Sequence, residues 1–304
     1  MKKHIPLWGL LYSSLLIGFT VYVLLDTFVI TRVYTNVPIE NSNNTQSFDS
    51  MDKTEDTSAQ ITVSNSFYQD ENITITLTEY RQYDTDIYVA DVCISSPEYL
   101  KTAFAQNAYG RNVTEKTSEM AKNNNAILAI NGDYYGAQEK GFVLRNGFLY
   151  RDSASKNQED LVIYLDGSFS IVTEKDSDPE TLLDNGAVQI LSFGPALVID
   201  GEISVTEDEE VGQAMASNPR TAIGIIDDLH YLFVVSDGRT SESAGLTLYE
   251  LAEFMQSLDA TIAYNLDGGG SSTMYFNGEI INTPTSSKGV QKERSVSDIV
   301  YIGY

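Results

Sequence analysis

The sequence predicts an α+β fold: strand-rich, with mixed or antiparallel sheets and a few flanking helices, preceded by one transmembrane helix. Three observations predict it. Residues 5–25 carry no charged side chain. From residue 61 onward, short apolar runs alternate with Asn-Gly and Asp-Gly pairs. Helical periodicity is confined to short segments that do not alternate regularly with the strands, unlike a regular α/β pattern.

The apolar run comes first. As a helix it is about 30 Å long, which matches the hydrocarbon thickness of a bilayer. Lys2 and Lys3 precede it and Asp26 follows. The positive-inside rule then places the N-terminus in the cytoplasm and the remainder outside, a single-pass cell-membrane protein. A cleaved signal peptide is the competing reading, but the run is long for one and no small-x-small cleavage site follows it. Residues 1–34 are therefore read as cytoplasmic tip and anchor. Residues 35–60, rich in Asn, Ser, Thr and Asp, bury too little apolar surface to fold and are read as a flexible stalk. Residues 61–304 form one folded domain.

Within that domain Ile73, Ile75 and Leu77 alternate with threonines, as in a half-buried strand. Asn146-Gly147, Asp166-Gly167, Asp200-Gly201 and Asn277-Gly278 each separate two apolar runs and predict two-residue hairpins. Residues 220–226 and 231–235 predict another strand pair, with His230 at its turn. Thr247 with Glu250 predicts a capping box ahead of the apolar face Leu248, Leu251, Ala252, Met255 and Leu258. Asn112 with Glu115 predicts a second helix reaching about Lys122. Residues 97–107 and 178–184 are weaker helical segments.

Composition narrows the function. Lys and Arg total 19 against 43 Asp and Glu, a net charge of -24, which repels nucleic acid. An anionic small substrate requires arginines gathered in one pocket. The single cysteine, Cys93, forms no intrachain disulfide and reads as a small buried hydrophobe on a strand. The two histidines, His4 and His230, are too few to make a zinc site an expectation.

Four segments place glycines and polar residues at a strand end: 126–136, 217–224, 232–239 and 262–274. Asp237-Gly238 and Asn131-Gly132-Asp133 read equally well as turns. Asp267-Gly-Gly-Gly-Ser-Ser272 does not, because three glycines carry an entropic cost that a turn does not require. Their consecutive N–H groups and two hydroxyls suit an anion.

In order along the chain, Asn131-Gly-Asp-Tyr-Tyr135, Phe193-Gly-Pro195 with Ile199-Asp-Gly201, Asn218-Pro-Arg-Thr-Ala222, Asp237-Gly-Arg239 and Asn265-Leu-Asp-Gly-Gly-Gly-Ser-Ser-Thr-Met274 resemble the phosphodiester glycosidase family. The resemblance covers residues 90–304 and implies hydrolysis of a sugar-1-phosphodiester on an envelope or extracellular glycan. The leaving group is already an anion, so the reaction needs charge stabilisation more than acid catalysis. That suits Arg220 and Arg239, with Arg294 as a third candidate. A carboxylate must act on the opposite face of the sugar, and Asp133, Asp237 and Asp267 are the candidates, unranked. Asn131, Gly132, Thr221, Asn265, Gly268, Gly269, Gly270, Ser271 and Ser272 are the candidate substrate contacts. Arg151, outside every motif, reads as a neutral position. No metal or cofactor is expected for this reaction. Two readings compete: a non-catalytic glycan-binding or exopolysaccharide-assembly module on the same fold, and a metal-dependent phosphodiesterase in which clustered Asp and Asn hold Mg²⁺ or Ca²⁺.

Overall fold

The computed structural model describes residues 7–37, 61–208, 217–286 and 289–304. The tip at 1–6, with Lys2, Lys3 and His4, and most of the predicted stalk, 38–60, lie outside the described residues.

The apolar run forms the helix Leu7–Phe28, and Trp8–Phe28 is long and apolar enough to cross a membrane. The chain then runs directly into a strand, Arg32–Asn36, that pairs antiparallel with Ala108–Arg111. Thr35 and Asn36, read as the start of the stalk, therefore belong to a strand, and Val37 N–H donates to the Asn107 carbonyl at 2.8 Å. Tyr34 packs on Tyr109 with ring centroids 5.8 Å apart. Gly110 permits this docking, because a Cβ there would lie 2.2 Å from the Arg32 carbonyl oxygen.

Three antiparallel sheets build the domain. The largest has nine strands, from Glu202–Ile203 at one edge through Ala196–Ile199, Ile262–Asn265, Arg220–Asp227, His230–Ser236, Thr85–Ile94 and Ile73–Gln82 to Phe67–Gln69 and Thr62–Ser64. A five-stranded sheet is centred on Leu128–Asn131 and Asp298–Ile302, and a second on Ala187–Leu191 and Glu159–Tyr164. One core joins all three: Ile75, Val92 and Phe233 from the first meet Leu128, Ile130 and Val300 from the second and Leu161 and Ile163 from the third. The other face of the large sheet is covered by the helix Leu248–Ser257. There Ile87, Val89, Leu232 and Val234 pack under Leu248, Leu251, Phe254 and Met255.

Local chemistry explains most of these elements. Asn146, Asp200 and Asn277 adopt positive φ ahead of their glycines and close the expected hairpins. Asp166 closes its hairpin differently: its Oδ1 accepts from Ser168 N–H at 2.9 Å, and Gly167 alone is left-handed. Thr247 and Glu250 make the full capping box. Asp178 caps Pro179–Asp184.

Three expectations are corrected. The second helix is Thr117–Asn123 and is not capped by Asn112. Asn112 instead sits at φ 55°, and its amide donates to the carbonyls of Thr27 and Ile30 at the end of the apolar helix. The Thr27 carbonyl lies in the last turn of that helix and the Ile30 carbonyl just beyond it, where no further turn supplies a donor, a demand no local pattern reveals. Segment 97–107 is mostly strand, Leu100–Phe104, between two short 3-10 turns, because its apolar side chains alternate into the core. Cys93 is on a strand as expected but exposed, since it lies on the face of the large sheet open to solvent beyond Val89 and Leu232.

Candidate active site

The four glycine-bearing segments converge at one end of the large sheet. Arg220 begins one strand and pairs with Ser236, the end of the next, so Asp237-Gly-Arg239 emerges beside it. Asn265 ends the neighbouring strand opposite Ala222 and hands the chain to Asp267 and the three glycines. Asn131, at the end of its strand in the second sheet, closes the gap. Its Nδ2 donates to the Asp267 carbonyl at 2.6 Å, and its Oδ1 accepts from Thr221 Oγ1 at 2.8 Å and Thr273 N–H at 3.2 Å. Asn131 and Thr221 are thus the buried seam between sheets rather than open ligand groups. Asn265 does similar work, with Nδ2 donating to the Gly194 carbonyl at 2.7 Å.

The glycine loop Gly269–Ser271 is held from below, where Gly269 N–H donates to the Pro219 carbonyl at 2.7 Å. Gly269 has φ 62°, and a Cβ there would lie 2.7 Å from Arg239 Nη2, so the glycine admits the guanidinium. Arg294 lies along the next residue, its Cδ 3.6 Å from the Cβ position of Gly270. Two cations therefore flank one loop. Burial first and then the nearby Arg294 charge lower the pKa of Arg239. Arg239 Nε donates to Asn218 Oδ1 at 3.0 Å, which fixes the side chain.

The structure separates the three carboxylate candidates. Asp267 Oδ2 accepts from Ser271 Oγ at 2.5 Å and from Arg294 Nη2 at 3.1 Å, beside the loop. Burial raises its pKa; Arg294 and then Ser271 oppose the rise. Asp133 is spent inside the protein, with Oδ1 accepting from Tyr135 N–H and Oδ2 from Ser192 N–H and Arg145 Nη2, the last two at 2.8 Å. Asp237 Oδ1 accepts from Thr283 N–H at 2.8 Å and Asn282 Nδ2 at 3.1 Å, so it anchors the segment after the loop. Gly132 N–H donates to the Asp298 carbonyl at 2.9 Å, away from the loop, and Gly268 leads into the loop with its Cβ position 2.9 Å from the Pro219 carbonyl oxygen. Ser272 Oγ is buried without a hydrogen-bond partner among the described residues.

Arg220 is buried beneath the loop, where its Nε donates to the Leu246 carbonyl at 2.9 Å. Sequence reasoning missed Arg145 and Asp298. Arg145 Nη2 bridges Asp133 and Asp298 at 2.8 Å each, with side chains at most 2% exposed. Burial first and then the Asp133 charge raise the Asp298 pKa, against the pull of Arg145. The available signal was a charged residue at an inward position of each apolar strand. Arg151 is no neutral position either, since it donates to the carbonyls of Gly141, Tyr135 and Gln138.

The phosphodiester glycosidase family model matches residues 124–303, more than half of the chain. The chain belongs to the phosphodiester glycosidase family. An uncharacterized SPbeta prophage-derived protein of Bacillus subtilis, YomE, is 29% identical over 201 residues, covering 64% of this chain and 31% of that protein. The mouse N-acetylglucosamine-1-phosphodiester alpha-N-acetylglucosaminidase is 34% identical over 174 residues, covering 52% and 33%. The chain thus spans about a third of the length of the curated relatives it matches. The catalytic domain of the zebrafish N-acetylglucosamine-1-phosphodiester alpha-N-acetylglucosaminidase, solved auto-inhibited by its pro-peptide, shares the fold: TM-score 0.60, 22% identity, 81% of this chain and 87% of that one. A hypothetical protein from Synechocystis shares it at TM-score 0.54 and 16% identity, covering 76% and 62%.

Proposed function

We propose that this chain hydrolyses a sugar-1-phosphodiester of an envelope or extracellular glycan, with its helix in the membrane and its domain on the extracytoplasmic side. The observation that carries the reading is the pair Arg239 and Arg294 flanking the glycine loop beside Asp267. In a chain of net charge -24, two neighbouring guanidiniums form a local attraction for an anion. They hold the phosphate and stabilise the charge that grows on it as the C1–O bond breaks and the electron pair leaves with the phosphate. Asp267 acts at C1, as nucleophile or by taking the proton of an attacking water. Asp133 and Asp237 support the site from within. Their oxygens are occupied by protein donors, which weakens the metal-dependent phosphodiesterase reading on the donor set itself.

The test is turnover of a panel of sugar-1-phosphodiesters by the full chain in detergent, run in ¹⁸O water. Label in the released sugar supports C–O cleavage. Label in the phosphate, or binding without turnover of any member, overturns the reading in favour of a phosphodiesterase or a binding module respectively.

A further inference from the structure

At the end of the large sheet far from the glycine loop, three side chains with metal-ligand chemistry share one face. Asp91 and Cys93 are two apart on Thr85–Ile94 and so point the same way. His230 is the direct cross-strand partner of Cys93. Further along the same face, Val89 and Leu232 disappear under the helix Leu248–Ser257, whereas the Asp91 and His230 side chains remain 48% and 25% exposed. The ligand atoms of Asp91, Cys93 and His230 all lie within 4.8 Å of one another. His230 Nε2 is 2.9 Å from Asp91 Oδ1, while Nδ1 lies 3.6 Å from Asp227 Oδ1 on the other side of the ring.

We infer that Asp91, Cys93 and His230 bind a borderline-soft divalent cation, zinc in the first place, with water completing the tetrahedron. Zinc bonds of about 2.0–2.3 Å to N, O and S set tetrahedral edges of about 3.3–3.8 Å, which small side-chain rotations here supply. Asp227, its Oδ1 3.6 Å from Nδ1, stands close enough to act as an orienting carboxylate once a small side-chain shift brings Nδ1–H into hydrogen-bond range, leaving Nε2 to face the ion. A thiolate, a carboxylate and a neutral imidazole balance the charge of the cation, so the bound site is neutral. The scarcity of His and Cys argued against zinc only while their positions were unknown; strand register places the single cysteine opposite one of the two histidines. The eight residues of Arg220–Asp227 separate this site from the glycine loop by roughly 25 Å at strand rise, so its occupancy is independent of catalysis.

The test is a Co²⁺ titration of the full chain in detergent, followed by Zn²⁺ displacement. One Co²⁺ per chain, with near-ultraviolet thiolate charge-transfer absorption that Zn²⁺ removes, is the expected result. Cys93→Ser abolishes that absorption and His230→Ala weakens Zn²⁺ at least about a hundredfold, while Asp227→Asn weakens it about tenfold. Zn²⁺ also protects Cys93, the only thiol, from alkylation in the unaltered chain. Absent charge transfer, absorption unchanged in His230→Ala, or a thiol alkylated equally fast with and without Zn²⁺ overturns the proposal.

Discussion

Arg294 Nη2 and the Ser271 hydroxyl both donate to one oxygen of Asp267, at 3.1 and 2.5 Å. The carboxylate is thereby aimed by two residues of the same site, one of them also flanking the glycine loop. Asp267→Asn keeps the fold and lowers kcat on the order of 10²–10⁴-fold. Burial raises the Asp267 pKa, and the active ionised form is lost as pH falls through it. The acid limb of kcat/KM therefore sits above the ordinary carboxylate range. Removing the opposing charge in Arg294→Ala moves that limb to higher pH. A limb that stays in place shows that another group titrates.

The arginines divide by burial. Arg239→Ala leaves the melting temperature nearly unchanged, Arg294→Ala lowers it modestly because buried Asp267 loses its cation, and each costs about 3 kcal/mol, about a hundredfold in turnover. Lys at either position rescues in part, because a point charge cannot reproduce a planar fork. Arg220→Ala instead lowers the melting temperature, since its Nε holds the Leu246 carbonyl in the interior. The half-exposed Lys175 is the control. Wild-type turnover in both Arg239→Ala and Arg294→Ala places the phosphate elsewhere.

Arg145→Met leaves Asp133 and Asp298 facing each other without a cation, so it destabilises the domain by about 3–5 kcal/mol in denaturant melts. Adding Asp298→Asn restores part of the loss. A single-variant cost below about 1 kcal/mol contradicts the ion-pair account.

Asp160 is fully buried, and among the described residues neither oxygen has a donor in hydrogen-bond geometry, although Glu174 and Ser192 lie against it. A proton on Asp160, shared toward Glu174, supplies what is missing. Burial first and the Glu174 charge second raise it to about 9 from 3.8. Between those values the native chain holds a proton that the unfolded chain has lost. Stability is full below the unfolded pKa and falls as pH rises toward about 9, by at most about 1.4 kcal/mol per unit. Asp298, also raised, acts with the same sign. Urea melts from pH 6 to 9 should show this slope, and Asp160→Asn should flatten it. An unchanged slope in the variant removes Asp160 as its source.

What could be read from the sequence was local. The hairpins at Asn146, Asp200 and Asn277, the Thr247 capping box and the Asp178 cap each follow from two to four adjacent residues. The glycine loop and Arg239 belong to motifs that point to a site without ranking its acids. Ranking needed to know which carboxylates are already occupied, and Arg145, 12 residues from Asp133 in sequence and 153 from Asp298, decides that through strand pairing. Cys93 reads as a core residue by alternation, yet exposure depends on where a helix stops covering the sheet. Asn112 looks like a helix cap for the segment that follows it and instead closes a helix more than 80 residues earlier.

The strand Arg32–Asn36 and the Asn112 amide fasten the end of the apolar helix to the domain before residues 38–60 begin. The chain returns to the domain at Thr62–Ser64, itself paired with Phe67–Gln69. The residues on either side of 38–60 are thus both paired within one body. A single protease cut between residues 38 and 60 yields two polypeptides, and the pairing of Arg32–Asn36 with Ala108–Arg111 keeps the larger with the fragment that carries the apolar helix until denaturant separates them.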